Sequence, residues 1–355
     1  MGRVTMPDIY GTLGPGCADE AVLRQMFSFG MTGMRLNLSH GSLKEFKEMI
    51  HGMQRAAAAC GVRPQLLLDL QGPELRTGVL PAPLFLKEGE TVRLGEKGIP
   101  MQEMVLGALL PEQKLLLDDG KLLLEVRECT EIPGKAPAVS ALVLRGGVLK
   151  NRKSVALPGL RLYPPALTEA DLENLKMAAE YGVTAVMQPF VRNRADLREV
   201  REALLTAGGG AIRLFAKIEN LDGVRQIDEL LPAADEIVIA RGDLGNAVPL
   251  WKLPALQKFL AKKCREAQKP FMVVTQLLAS MEQNPVPTRA EVSDIFNAVL
   301  DGAASLMVTG ETAAGRYPAE AVRYLAETAA SAAEWLRHDF SLTDLEDTSE
   351  DVNEW

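Results

Sequence analysis

Residues 211–246 read AIRLFAKIENLDGVRQIDELLPAADEIVIARGDLGN. Two short apolar runs, 211–216 and 236–240, are each followed at once by polar residues. Their length and their Leu/Ile content mark them as buried strands. Between them, 223–231 shows helical spacing of apolar residues, with Asp222 as the expected N-cap. A strand–helix–strand unit of this kind implies neighbouring parallel strands. The first strand then ends in Lys217, Glu219 and Asn220, and the second in Arg241, Gly242 and Asp243. Parallel strands bring those charges to one rim. Two carboxylates and an ammonium beside a glycine turn suit a hard metal and a phosphate. The bland reading is a set of ordinary rim ion pairs. Recurrence of the same pattern at other strand ends weighs against it.

Working outward, the same rhythm recurs. Residues 8–13 (DIYGTL) are expected to form a strand, followed by a helix over 21–29. A second strand over 31–41 (MTGMRLNLSHG) carries Arg35, Asn37, Ser39 and His40 at its end. Ser42 is expected to cap a helix running toward Ala59. A third strand, from Gln65 to Leu70, ends in Asp69 and then QGPELRTG. After an interruption, Thr168 and Asp171 form a capping box for the next helix. Strands over 183–191, 211–216, 236–240 and 270–278 follow, and SLMVTGETA gives an eighth. Helices are expected over 195–207, 253–267, 289–302 and 318–336. Eight strands with helices between most of them make an α/β fold, a (β/α)8 TIM barrel.

The interruption differs in composition. Over 77–157, short apolar runs alternate with Gly and Pro turns and show no long amphipathic helix, as in an all-β insertion. The expected division is barrel over 1–76, β lid over 77–157, barrel over 158–336 and an acidic tail over 337–355. The insertion leaves the C-terminal end of the third strand, where a lid over a site is a natural role. The tail is rich in Asp and Glu and is expected to be solvated.

The net charge of −8 argues against non-specific nucleic-acid binding. The four cysteines, Cys17, Cys60, Cys129 and Cys264, are far apart, with no C-x-x-C pair. They suit a reducing compartment. No signal pattern or membrane-spanning run is evident, so cytoplasm and no membrane partner are expected. Neither G-x-x-x-x-G-K-[ST] nor a strand-borne G-x-G-x-x-G occurs, so a nucleotide would be held without those loops.

KIEN followed by ARGDLG resembles the pyruvate kinase family. The resemblance continues through GMRLNLSHG, DLQGPELRTG, VTQLLASM, NPVPTRAE and TGETAAGRYPAEAV, and covers most of 8–335. It implies phosphoryl transfer from phosphoenolpyruvate to ADP, giving pyruvate and ATP, with Mg²⁺ (or Mn²⁺) and K⁺. By the same resemblance Lys217 stabilises the moving phosphoryl group, and Arg35 contacts the substrate phosphate. Glu219 and Asp243 hold the divalent ion. Gly242, Asp243 and Thr275 meet the substrate carboxylate. Asn37, Ser39, Asp69 and the carbonyl of Leu70 form the K⁺ site. Glu74 accompanies K⁺ dependence. Asn37, His40, Arg76 and Lys153 contact the nucleotide, which lies between the barrel rim and the lid. Asp118-Asp119-Gly120, read alone, is a hairpin turn. The resemblance adds a second reading, in which it faces the nucleotide-bound metal. A homo-oligomer assembled through the barrel is also implied.

Several positions depart from the family pattern. Gln71 replaces a lysine, Pro189 a serine, and Thr309 the serine of S-G-E-T, with its hydroxyl kept. The family's C-terminal regulatory domain has no counterpart in the 355 residues, so no response to sugar-phosphate effectors is expected. His51 and His338 read as surface residues. Two other readings remain at this point. One is a metal-dependent lyase acting on a pyruvate enolate. The other is a non-catalytic metabolite-binding homologue, in which Gln71 and Pro189 mark decay.

Overall fold

A computed structural model describes residues 6–337 apart from positions 96, 119, 133, 161 and 163. The chain divides into two units at Gly72/Pro73 and at Pro165/Ala166. The first unit opens with β1 (Asp8–Thr12), α1 (Glu20–Ser28), β2 (Gly33–Asn37), α2 (Lys47–Ala59) and β3 (Gln65–Asp69). The second unit holds β4 (Leu84–Leu86), β5 (Thr91–Leu94), α3 (Glu103–Ala108), β6 (Lys114–Leu117), β7 (Leu122–Ile132), β8 (Lys135–Arg145), β9 (Gly147–Leu149) and β10 (Val155–Ala156). The first unit resumes with α4 (Glu169–Met177), β11 (Ala185–Gln188), α5 (Arg194–Thr206), β12 (Arg213–Ile218), α6 (Leu221–Arg225) and α7 (Ile227–Leu230). It ends with β13 (Glu236–Ala240), α8 (Arg241–Ala247), α9 (Leu253–Glu266), β14 (Phe271–Val274), α10 (Arg289–Leu300), β15 (Ser305–Met307), α11 (Gly310–Ala313) and α12 (Pro318–Trp335).

In the first unit, strand side chains alternate between two apolar layers. Leu67, Met187, Phe215, Val238, Met272 and Met307 fill one cluster inside the ring. Leu66, Leu68, Val186, Leu214, Ile237, Ile239 and Val273 belong to a second cluster shared with the helices. A parallel strand buried on both faces must be apolar nearly throughout, which is why β13 carries EIVIA with every residue buried. All eight pairings are parallel, and they close the ring in the order β1-β15-β14-β13-β12-β11-β3-β2. The fold is thus an α/β TIM barrel, and every strand delivers its C-terminal end to the same rim.

The second unit has its own apolar core, including Leu86, Leu115, Leu124, Val126, Val143 and Leu149. Its larger sheet is antiparallel, in the order β10-β6-β7-β8-β5. The short helix α3 is the exception to an otherwise β-rich segment. β6 and β7 meet across a turn at Asp118, whose φ of +50° and carbonyl bond to the Lys121 amide (3.1 Å) close it. Asp119, singled out with Asp118 above, lies outside the described residues. So do His338 and the rest of the acidic segment beyond Arg337.

Two caps differ from expectation. Asp222 does not start α6; the Asn220 side chain does, accepting from the Gly223 amide at 2.8 Å. A cap belongs where the extended strand ends, and Asn220 is the first suitable side chain past β12. The segment then forms two short helices in place of one. Ser42 pairs instead with Glu45, whose Oε2 accepts from the Ser42 amide (2.7 Å) and hydroxyl (2.8 Å). That closes a separate turn, and α2 begins only at Lys47.

Thr168 and Asp171 do form the capping box of α4. The Asp171 carboxylate does more. Its Oδ1 accepts from the Gln71 amide (2.8 Å) and its Oδ2 from the Gly72 amide (3.0 Å). Asp171 is wholly buried, so its loss would strand those donors. Asp171→Ala is expected to cost about 3 kcal/mol in denaturant unfolding, several times the cost of an ordinary cap.

Candidate active site

β12 presents Phe215, Lys217 and, one step past its end, Glu219 on one side, because strand side chains alternate. Phe215 belongs to the inner layer, so Lys217 and Glu219 rise from that layer to the rim. The same parity places Arg35 and Asn37 inward on β2, between the outward Met34, Leu36 and Leu38, and Asp69 above Leu67 on β3.

These side chains meet. Asp69 Oδ2 accepts from Arg35 Nε at 2.8 Å and lies 2.6 Å from Nη2. Lys217 Nζ lies 3.3 Å from the same oxygen and 2.9 Å from Glu219 Oε1. Glu219 Oε2 accepts from the Phe190 amide at 2.8 Å. Phe190 has a φ of +53°, a left-handed conformation that turns its N–H toward the carboxylate. Asp69 and Glu219 are 3% exposed and Lys217 13%, so these charges interact with little screening.

Burial works against each charge, and the neighbours decide the outcome. At Asp69, Lys217 and Arg35 overcome burial and hold the carboxyl below its usual range. At Lys217, Asp69 and Glu219 overcome it and hold the ammonium above its usual value. At Glu219, burial, with Asp243 and Asp69 nearby, outweighs Lys217 and pushes the carboxyl up. The signs give a pH prediction. Asp69 adds stability above the unfolded value of about 3.9, lost as pH falls through its lower folded value. Asp69→Asn should therefore lower the thermal midpoint at neutral pH and flatten the loss of stability on acidification below about pH 4.

Gly242, at the start of α8, faces Thr275. A Cβ added at Gly242 would lie 3.2 Å from Thr275 Cγ2, so glycine permits this approach. Thr275 itself has a φ of +80° and is followed by Gln276 at +55°. A β-branched residue held there costs about 1–3 kcal/mol, a strain typical of functional sites. Thr309 is bound through its amide (2.7 Å) and hydroxyl (3.3 Å) to Glu311 Oε2. The other Glu311 oxygen accepts from the Leu278 amide at 3.2 Å. Glu311 thus ties the ends of β14 and β15 together.

Asn37 Oδ1 accepts from the Ser39 amide at 3.1 Å, shaping the turn that also carries the exposed His40. Leu70 donates its amide to the Met187 carbonyl at 3.1 Å. Gln71 is tied down at both ends, its amide to Asp171 and its Nε2 to the Leu38 carbonyl at 3.0 Å. Pro189 lies against Gly72, where an added Cβ would come within 2.4 Å of the proline ring. Arg76 and Lys153 lie in the second unit. There Arg76 pairs with Glu74 at 2.5 Å, and Lys153 with Asp118 at 2.8 Å.

Among the described residues, no group of three or more His, Cys, Asp or Glu side chains is placed to hold a metal. Asp243 lies near enough to Glu219 to disfavour its charge. A divalent cation would relieve that repulsion. Mg²⁺ is usually held by one or two carboxylates with waters and phosphate oxygens, so the pair fits it. The donors at Asn37, Ser39, Asp69 and Leu70 are all oxygens, the type a hard monovalent cation takes.

Asp171, Phe190, Arg241 and Glu311 escaped the sequence reading as site residues. Asp171 left a signal in its capping box and Arg241 as a rim charge, but neither was given a role at the site. The contacts that matter here lie far apart in sequence: Phe190 with Glu219, Arg241 with Thr275 and Glu311 with Leu278 are 29 to 34 positions apart.

The description "Pyruvate kinase, barrel domain" matches residues 4–322. The pyruvate kinase of Geobacillus stearothermophilus is 40% identical over 336 residues, which are 92% of this chain and 57% of that protein. The enzyme of Aeropyrum pernix is 38% identical over 327 residues, 91% of this chain and 70% of its own length. That of Bacillus licheniformis is 37% identical over 336 residues. The chain therefore spans little more than half the length of several relatives that it matches.

Proposed function

The chain belongs to the pyruvate kinase family, and from that premise we propose that it transfers the phosphoryl group of phosphoenolpyruvate to ADP. The observation that carries the reading is Lys217, a buried ammonium held between Asp69 and Glu219 with Arg35 on the same Asp69. Phosphoryl transfer is catalysed chiefly by positioning and by preorganised positive charge. Lys217 supplies such a charge without reorganising. Arg35 is placed to grip the substrate phosphate, since a guanidinium can bind two of its oxygens at once. Gly242, Asp243 and Thr275 receive the carboxylate. Thr275 and Thr309 are placed to pass a proton, through water, to the enolate.

Glu219 and Asp243 would hold Mg²⁺ or Mn²⁺. Held there, the ion would supply positive charge against the negative charge that develops on the substrate. Asn37, Ser39, Asp69 and Leu70 would hold K⁺. Asn37, His40, Arg76 and Lys153 are proposed as nucleotide contacts, and the second unit as the lid. We place the protein in the cytoplasm and expect a homo-oligomer through the barrel. Among the described residues no helix is long and apolar enough to cross a membrane. The exposed Leu250 and Trp251 offer apolar surface for the oligomer contact. The lyase and binding-only readings have no observation of their own.

A coupled assay for ADP-dependent pyruvate formation tests the reading. Turnover should require a divalent ion and rise severalfold with K⁺, as Glu74 leads one to expect. Equal rates in Na⁺ or a quaternary ammonium buffer would contradict K⁺ activation. Absence of pyruvate with ADP and both cations present would contradict the function.

A further inference from the structure

Arg241 follows β13 at the rim, yet its charge is committed elsewhere. Its Nε (3.2 Å) and Nη2 (2.7 Å) both donate to the carbonyl of Thr275. Its Nη1 binds Asp294 at 2.6 Å and Gln257 Oε1 at 3.4 Å. Asp294 comes from α10 and Gln257 from α9, so two helices fix the guanidinium from behind. The side chain is 11% exposed.

The group it holds is strained. Thr275 and Gln276 take left-handed φ values in succession, and a β-branched residue is a genuine outlier there. Left alone, Thr275 would relax toward the extended backbone of β14, swinging its carbonyl and side chain together. The bidentate grip on the carbonyl opposes that rotation. Next to it, Gly242 leaves the space that the threonine side chain occupies. Two successive residues thus act on Thr275: Arg241 clamps its backbone and Gly242 makes room for its side chain.

We infer that Arg241 is a positioning residue that locks Thr275 in its left-handed conformation, so that the threonine hydroxyl meets the substrate carboxylate. Arg241 itself does not touch the substrate. The inference rests on the phosphoenolpyruvate reading for what Thr275 contacts. The competing account is a purely structural Arg241–Asp294 ion pair.

A double-mutant cycle separates the two. Misplacing a binding group by about 1 Å can cost about 10²-fold, so Arg241→Met should lower kcat/KM for phosphoenolpyruvate by about that factor. In a Thr275→Ala background the same change should cost less than about threefold, because the group it positions is already gone. Arg241→Lys keeps the charge facing Asp294 but not the two-pronged donation, and should resemble Arg241→Met. Losses that multiply in the double variant, or an Arg241→Lys enzyme with wild-type kinetics, would overturn the inference. If Arg241→Met fails to fold, the cycle built with Arg241→Lys decides in the same way. If the wild-type protein makes no pyruvate, the functional reading fails by itself. The clamp is then read from thermal midpoints with Thr275→Gly, since glycine accepts φ +80° without strain. The midpoint drop caused by Arg241→Met should shrink in that background. An unchanged drop would refute the clamp.

Discussion

Replacing Lys217 by Met is expected to lower kcat by about 10³-fold or more while divalent-ion binding persists. Met has similar length and keeps the stem packed, so the change isolates the charge. The ammonium contacts both Asp69 and Glu219, and removing it leaves two buried carboxylates with less compensation. Breaking a buried pair from one side costs about 3–5 kcal/mol. Arg35 still compensates Asp69, so the lower end of that range is expected in denaturant unfolding. Turnover and Mn²⁺ affinity should therefore separate. A Lys217→Met protein that turns over within tenfold of wild type would remove this residue from the chemistry.

The second large effect concerns Glu219. Its carboxyl is pushed up by burial, which together with Asp243 and Asp69 outweighs the Lys217 ammonium. A group with a raised folded pKa adds stability below its unfolded value, lost as pH rises through the folded one. At neutral pH, Glu219→Gln should then leave the thermal midpoint in chelator no lower than that of the wild type. If Glu219 and Asp243 hold the ion, Mn²⁺ affinity should fall by about 10²-fold. If Glu219 is a ligand, protons and metal would compete for it in the wild type, and metal affinity should begin to weaken on acidification above the ordinary glutamate range. The Gln variant should lose that part of the pH dependence. Calorimetric titration with Mn²⁺ at several pH values, beside thermal scans, checks both halves. Unchanged affinity in Glu219→Gln would exclude it as a ligand.

The barrel was legible because its strands are short apolar runs that stop abruptly at charge. That pattern placed β12 and β13, and parallel pairing then placed Lys217, Glu219 and Asp243 at one end. What stayed hidden was set over distance or by backbone angle. Asn220 and Asp222 are both good caps, and only the end of the strand chooses between them. The Ser42–Glu45 turn looks like a helix start because it uses the same chemistry. Asp171 announced a capping box, but its bonds to Gln71 and Gly72 reach back about a hundred positions. Phe190 and Thr275 show no local reason for positive φ; the partner is the Glu219 carboxylate for the first and the Arg241 guanidinium for the second. Gln71 stands where the family has a cation and Pro189 where it has a hydroxyl; Gln71 is hydrogen-bonded to Asp171 and Leu38, and Pro189 packs against Gly72.

Glu219 and Asp243 are proposed to hold one divalent ion together at the barrel mouth. Anomalous diffraction from crystals of the protein soaked in Mn²⁺ and phosphoenolpyruvate tests this most directly. One peak is expected at the rim, with an oxygen of each carboxylate about 2.1 Å away. A peak bound by other side chains, or Glu219 and Asp243 facing separate ions, would contradict it.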